Sequence, residues 1–253
     1  MVSMNALEAD GLTVFYGRTK ALEQVTVSIK PGTMTAVIGP NGSGKSTLLK
    51  AFVGLVKPSQ GRVTVFGRPL EKSRGLVAYV PQREDVYWDY PLTVWDVVAL
   101  GRVKAVGPLN KVSKNDKLVL DALNNTGLME LSSRKVSELS GGQQQRVFLA
   151  RAMAQGAELY LMDEPLTGID AEAEDKLFDI MKRLRDGGKT IVMTTHDLSS
   201  TLELFDNVMI LKTRLIAFGP PDEALKAEHL SAAYGSERVA MHLADVKKVA
   251  GWR

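Results

Sequence analysis

The chain has 253 residues, 45% apolar and 24% charged, a globular composition that leaves room for one large domain or two modest ones and excludes a mainly disordered chain. With 32 basic and 29 acidic residues the net charge is +3, too small an excess to predict binding to nucleic acid or an anionic membrane. There is no cysteine, which excludes disulfide scaffolds, thiolate metal sites and cysteine nucleophiles.

The first ten residues carry Glu8 and Asp10 and lack a basic patch ahead of an apolar core, so they do not read as a secretory signal. No run approaches the ~18–20 uninterrupted apolar residues of a membrane span, and a soluble, cytoplasmic chain is expected. Residues 7–31 and 61–67 alternate as strands, with turns at Gly17, Pro31-Gly32 and Gly61, and predict an antiparallel β lobe. Short β-rich apolar runs recur at 34–38, 76–80, 159–162, 190–194 and 208–211. Helical patterns between several of them predict a mostly parallel sheet covered by helices. Residues 84–138 read as a helical insert between two core strands. In 173–184, Leu177, Ile180, Met181 and Leu184 fall on one helical face, and Gly187-Gly188 stops that helix. The stretch 221–253 reads as a short helical tail.

Gly39-Pro40-Asn41-Gly42-Ser43-Gly44-Lys45-Ser46-Thr47 follows the run 34–38 and opens a helix carrying Leu48, Leu49, Phe52 and Val53. That is the phosphate-binding pattern G-x-x-x-x-G-K-[ST] in its required strand-to-helix context. Glycines let the backbone wrap an anion and turn successive N–H groups inward, and the new helix adds its positive end. Lys45 reaches the β- and γ-phosphates in this arrangement, and the Ser46 hydroxyl ligates Mg²⁺.

The run 159–162 ends in Asp163-Glu164. Behind a phosphate cradle, Asp163 suits Mg²⁺ coordination, direct or through water, and Glu164 suits a general base for the attacking water. His196 follows the run 190–194 at another strand tip, where it can hydrogen-bond the γ-phosphate or position the water. His229 and His242 have no partners at metal-ligand spacing.

Leu139-Ser140-Gly141-Gly142-Gln143, followed by Gln144-Gln145-Arg146, resembles the signature of ATP-binding cassette (ABC) ATPases, and the resemblance extends over about residues 5–220. Ser140, Gly141 and Gly142 open a helix carrying Val147, Ala150 and Ala154, a second anion-binding helix terminus. The resemblance implies an α/β fold: a P-loop NTPase core with a mostly parallel sheet, an antiparallel β lobe and a helical subdomain insert. It implies ATP and Mg²⁺ as cofactors. It also implies a head-to-tail dimer, in which Ser140, Gly141, Gly142 and Gln143 of one copy face the cradle of the other. Tyr16 resembles the aromatic that stacks on adenine. Gln82 resembles the glutamine that contacts Mg²⁺ and the water. Gly168-Ile169-Asp170, after Glu164-Pro165, resembles the loop crossing the dimer interface, although the family's frequent small-residue, alanine, leucine, aspartate ending reads Thr167-Gly168-Ile169-Asp170 here.

Family members without fused membrane segments couple to separate permease subunits, through a groove near the glutamine loop and the insert. Tyr79, Tyr87, Trp88, Tyr90 and Trp95 crowd that region and offer an aromatic interface. The stretch from Val80 to Val98, with Trp88-Asp89-Tyr90-Pro91-Leu92-Thr93-Val94, resembles manganese, zinc and iron importer ATPases, as does Glu164-Pro165-Leu166-Thr167-Gly168-Ile169-Asp170-Ala171. That resemblance implies an ATPase at the cytoplasmic face of the membrane, serving a permease and, indirectly, an extracytoplasmic metal-binding protein, with no nucleic-acid partner. The alternatives are the same machine for another cargo (an iron chelate, or export) and a soluble non-transport ABC ATPase.

Overall fold

The computed structural model describes residues 4–82, 91–107, 110–196 and 204–235. The chain forms two compact units, one of residues up to Ser73 together with those from Thr190 onward, the other Arg74–Lys189.

The first unit opens with β1 (Leu7–Tyr16) and β2 (Thr19–Ile29), an antiparallel pair turning at Gly17-Arg18. It continues through β3 (Met34–Ile38), α1 (Lys45–Phe52), β4 (Gln60–Val65), β5 (Arg68–Pro69) and α2 (Leu70–Ser73). β4 pairs antiparallel with β1, and β5 with β4, which completes the β lobe expected from alternation. Gly61 is not the turn its sequence suggested. It lies inside β4 at φ +84, where a Cβ would come within 2.5 Å of the Asp10 and Gly11 carbonyl oxygens, beside a register shift in β1. Later in the chain this unit adds β8 (Thr190–Thr194), β9 (Asn207–Lys212), β10 (Arg214–Gly219), α8 (Pro221–Ala224) and α9 (Ala227–Tyr234). β3 runs parallel to both β8 and β9, and all five of its residues are buried. A strand covered on both faces reads as a continuous apolar run, which is why 34–38 stood out.

The second unit contains β6 (Val77–Val80) and β7 (Leu159–Met162), paired in parallel, with helices between them in sequence. These are α3 (Val94–Ala99), α4 (Val103–Val106), α5 (Lys117–Asn125) and α6 (Gly141–Ala154), and α7 (Ala171–Asp186) follows β7. Val94, Val98, Val119, Leu123 and Leu128 form one core with Val147, Ala150 and Ala154 of α6, so the insert closes on the signature helix. Asp116 caps α5, its Oδ1 accepting from Leu118 and Val119 N–H at 3.0 and 3.2 Å. α7 buries Leu177, Ile180 and Met181, as the periodicity predicts, with Phe178 beside them, and stops at Gly187-Gly188. Among the described residues no helix is long and apolar enough to cross a membrane.

Candidate functional site

The phosphate loop leaves β3 at Gly39 and enters α1 at Gly44, both at positive φ. A Cβ at Gly39 would overlap the Leu211 carbonyl oxygen, and one at Gly44 would stand 2.6 Å from the Ala21 carbonyl oxygen. Only glycine fits either place, because β9 on one side and β2 on the other approach the loop backbone. Lys45, 6% exposed, donates from Nζ to the Gly39 carbonyl at 2.9 Å and the Pro40 carbonyl at 3.4 Å. The ammonium is thereby held over the hollow of the loop. Ser43 Oγ is buried there without a hydrogen-bond partner among the described residues, a polar atom the loop itself does not satisfy. Asn41 and Gly42 are exposed at the rim, and Ser46 and Thr47 are half-buried in the first turn of α1.

Two further side chains belong to this unit. Tyr16 closes β1 and is 51% exposed, its ring open to a flat partner. It pairs with Thr19 at the mouth of the hairpin whose second strand carries Ala21 against Gly44. His196 is exposed just after β8, and the Thr195 N–H donates to the Val37 carbonyl at 3.1 Å. β8 is parallel to β3, so His196 and the phosphate loop leave at the same, carboxyl, edge.

The second unit gathers the acids. Asp163 is 1% exposed at the tip of β7, accepting on Oδ2 from the Tyr79 hydroxyl at 3.2 Å, while its N–H donates to the Val80 carbonyl at 2.9 Å. Glu164 follows at φ +45. Its Oε2 accepts from Gln82 Nε2 and from Thr167 Oγ1, each at 3.4 Å. Gln82 and Glu164 are thus joined directly, and Asp163 adjoins Glu164 along the chain. Thr167 and Tyr79 bond to the two acids, and sequence reasoning missed that role for both.

The signature opens α6. Ser140 is its N-cap in a capping box: the Gln143 N–H donates to Ser140 Oγ at 3.4 Å and the Ser140 N–H to Gln143 Oε1 at 3.0 Å. Gly141 follows as the first helical residue. A Cβ on Gly142 would overlap Ala173 Cβ in the first turn of α7, whose N-cap is Asp170, accepting from the Ala173 N–H at 2.8 Å. The two helix starts therefore meet, and Asp170, expected only as an interface residue, is also a cap.

Of the expected aromatic patch, Tyr79 and Trp95 are described. Trp95 is 8% exposed in the insert core with Lys114 Nζ over its ring at 4.6 Å, so it is not a docking anchor. Tyr79 points its hydroxyl at Asp163. Tyr87, Trp88 and Tyr90 lie outside the described residues.

A glycine-built anion cradle with a buried lysine, and a buried aspartate followed by a hydrogen-bonded glutamate at a parallel-strand tip, define a P-loop nucleoside-triphosphatase of the α/β class. Residues 22–167 match the ABC transporter family. The zinc transport system ATP-binding protein TroB of Treponema pallidum is 47% identical over 231 residues, 91% of this chain and 87% of its own. The manganese transport system ATP-binding protein MntB of Listeria monocytogenes is 44% identical over 235 residues, 92% of this chain and 98% of its own. Among solved structures, an ATP-binding cassette of an ABC transporter in its ADP conformation superposes with a TM-score of 0.76 at 25% identity, covering 98% of both chains. The chain belongs to the ABC transporter family, as a nucleotide-binding ATPase.

Proposed function

We propose that this chain is the ATP-hydrolysing subunit that energises import of a transition-metal ion (manganese, zinc or iron) through a separate membrane permease. The observation that carries the reading is nearly end-to-end likeness to ATP-binding proteins of zinc and manganese transport systems. The ATPase domain spans 5–220, with the insert at about 84–138 and the tail at 221–253. It works at the cytoplasmic face, as a head-to-tail pair under permease subunits that receive metal from an extracytoplasmic binding protein.

Each residue then has a task. The N–H groups of the loop from Gly39 to Thr47 bind the triphosphate, and Lys45 shifts its ammonium from the loop carbonyls to the β- and γ-phosphates. Tyr16 stacks on the adenine. Ser46, Asp163 and Gln82 offer only oxygen donors, a hard set that fits Mg²⁺. Bound there, Mg²⁺ supplies charge neutralisation at the phosphates. Glu164 takes the proton of the attacking water, and Gln82 and Thr167 hold its Oε2 in place. His196 hydrogen-bonds the γ-phosphate. Ser140, Gly141, Gly142 and Gln143 of the second copy bring a helix N-terminus to the same phosphate, and Asp170 lies in the loop between copies.

The test is transport. The chain, co-purified with its permease and placed in proteoliposomes, is expected to accumulate radiolabelled Mn²⁺, Zn²⁺ or Fe only with ATP on the cassette side. Brisk ATP turnover with none of the three ions moved would overturn the cargo while leaving the ATPase intact.

A further inference from the structure

β6 ends its sheet, with β7 on one side and no strand among the described residues on the other. Successive carbonyls of a strand alternate in direction. Those of Leu76 and Val80 face β7, accepting from the Leu159 and Asp163 N–H groups at 2.9 Å each. Those of Val77 and Tyr79 face away and need donors from elsewhere. The end of α6 supplies them. Gln155, its C-cap, donates from Nε2 to the Val77 carbonyl at 2.8 Å, and Arg151 donates from Nη2 to the Tyr79 carbonyl at 3.2 Å. The spacings match, since four helical residues rise about 6 Å and two strand residues about 6.6 Å. The half-buried Arg151 guanidinium also lies over the Phe148 ring, 4.6 Å from its centroid, so the donor is held by its own helix.

We propose that Arg151 is a positioning residue for ATP hydrolysis: by holding the Tyr79 carbonyl it fixes the exit of β6, and so the place of Gln82 beside Glu164. Only Val80 and Pro81 lie between Tyr79 and Gln82, and both are stiff. The Val80 carbonyl is tied to Asp163, and proline fixes its own φ and restricts the residue before it. What holds Tyr79 therefore aims Gln82, whose Nε2 donates to Glu164 Oε2 at 3.4 Å. A charged donor grips a carbonyl more firmly than a neutral one, which suits a brace made by a single side chain. Arg151 sits on the helix that Ser140 opens, so the signature and Gln82 are braced to each other. It touches neither nucleotide nor water. This rests on the reading that Gln82 and Glu164 serve the attacking water.

Full-length Arg151→Met, purified with its permease, keeps most of the bulk and deletes the donor. The kcat for ATP should fall about 5- to 20-fold with KM within about twofold, the loss of one charge-assisted hydrogen bond that serves the chemistry and not the binding. In a Gln82→Ala background the same substitution should cost less than about twofold, because the side chain it positions is gone. A wild-type kcat overturns the proposal whatever the thermal midpoint does, since a merely structural contact would lower the midpoint alone. Losses that multiply in the double variant overturn it too, because Arg151 then acts elsewhere. Should methionine not fold, Arg151→Lys carries the test. It keeps the charge and an N–H donor but not the plane that lies on Phe148, so a loss of about 2- to 5-fold, absent in the Gln82→Ala background, is expected, and a wild-type kcat overturns the proposal. The underlying reading fails differently. Gln82→Ala alone at the wild-type rate refutes the role of Gln82 itself, whereas a slowed Gln82→Ala beside a full-speed Arg151→Met refutes only the proposal.

Discussion

Glu164 occupies a left-handed backbone, φ +45, that a side chain bearing a Cβ adopts at a cost of roughly 1–3 kcal/mol. Two backbone bonds hold it there: the Asp163 N–H on the Val80 carbonyl, and the Thr167 N–H on the Glu164 carbonyl at 3.3 Å. The bend turns the chain off the strand as soon as Asp163 has been delivered, and it sets the carboxylate between Gln82 and Thr167. A strained residue whose carboxylate is held in place by Gln82 and Thr167 suits a base that must be oriented toward water. Glu164→Gln preserves the shape and removes the basicity. Turnover should fall about 100-fold or more, with ATP affinity retained. Phosphate release in a single-turnover assay measures the first and equilibrium binding the second; unaltered release strips Glu164 of the role. The aromatics teach the opposite lesson at this scale. Trp95 and Tyr79 looked alike in sequence, as members of one patch. Only the fold separates a core residue from a hydroxyl bonded to Asp163, since neither fate leaves a local mark.

Elements were legible wherever their signals were local. The runs 34–38, 159–162 and 190–194 coincide with β3, β7 and β8, because strands buried on both faces must be uniformly apolar and each ends at a residue that breaks the run. Contacts between distant segments were not legible: Gly61 under the carbonyls of β1, Gly39 against the Leu211 carbonyl, Gly142 against Ala173. Gly142 gives the element-scale test. Alanine ordinarily gains about 1 kcal/mol over glycine inside a helix. Here the added methyl would overlap Ala173, which the Asp170 cap holds in position, and overpacking costs about 1–3 kcal/mol. Overlap should win, so Gly142→Ala is expected to lower the urea midpoint. A midpoint at or above wild type would mean that α6 and α7 part without resistance.

At the scale of the whole molecule, one chain carries two helix starts that the proposed function assigns to phosphate, that of α1 in the first unit and that of α6 in the second. The head-to-tail reading assigns them to different nucleotides: each ATP takes α1 from one copy and α6 from the other. That assignment has a consequence no single-chain mechanism shares. Lys45→Ala damages only the cradle. Gly141→Asp sets a carboxylate where the phosphate would sit, and it spares the fold, because an acid in the first turn of a helix favours the helix dipole. Each variant alone should be inactive. Mixed in equal amounts and allowed to exchange, about half the dimers pair one variant with the other, and each such dimer holds one doubly damaged site and one intact site. ATP turnover should therefore return to about a quarter of the wild-type rate if the sites fire independently. Were each nucleotide served by one chain's own α1 and α6, every site in the mixture would carry a lesion. A mixture as inactive as its two components would then refute the shared nucleotide.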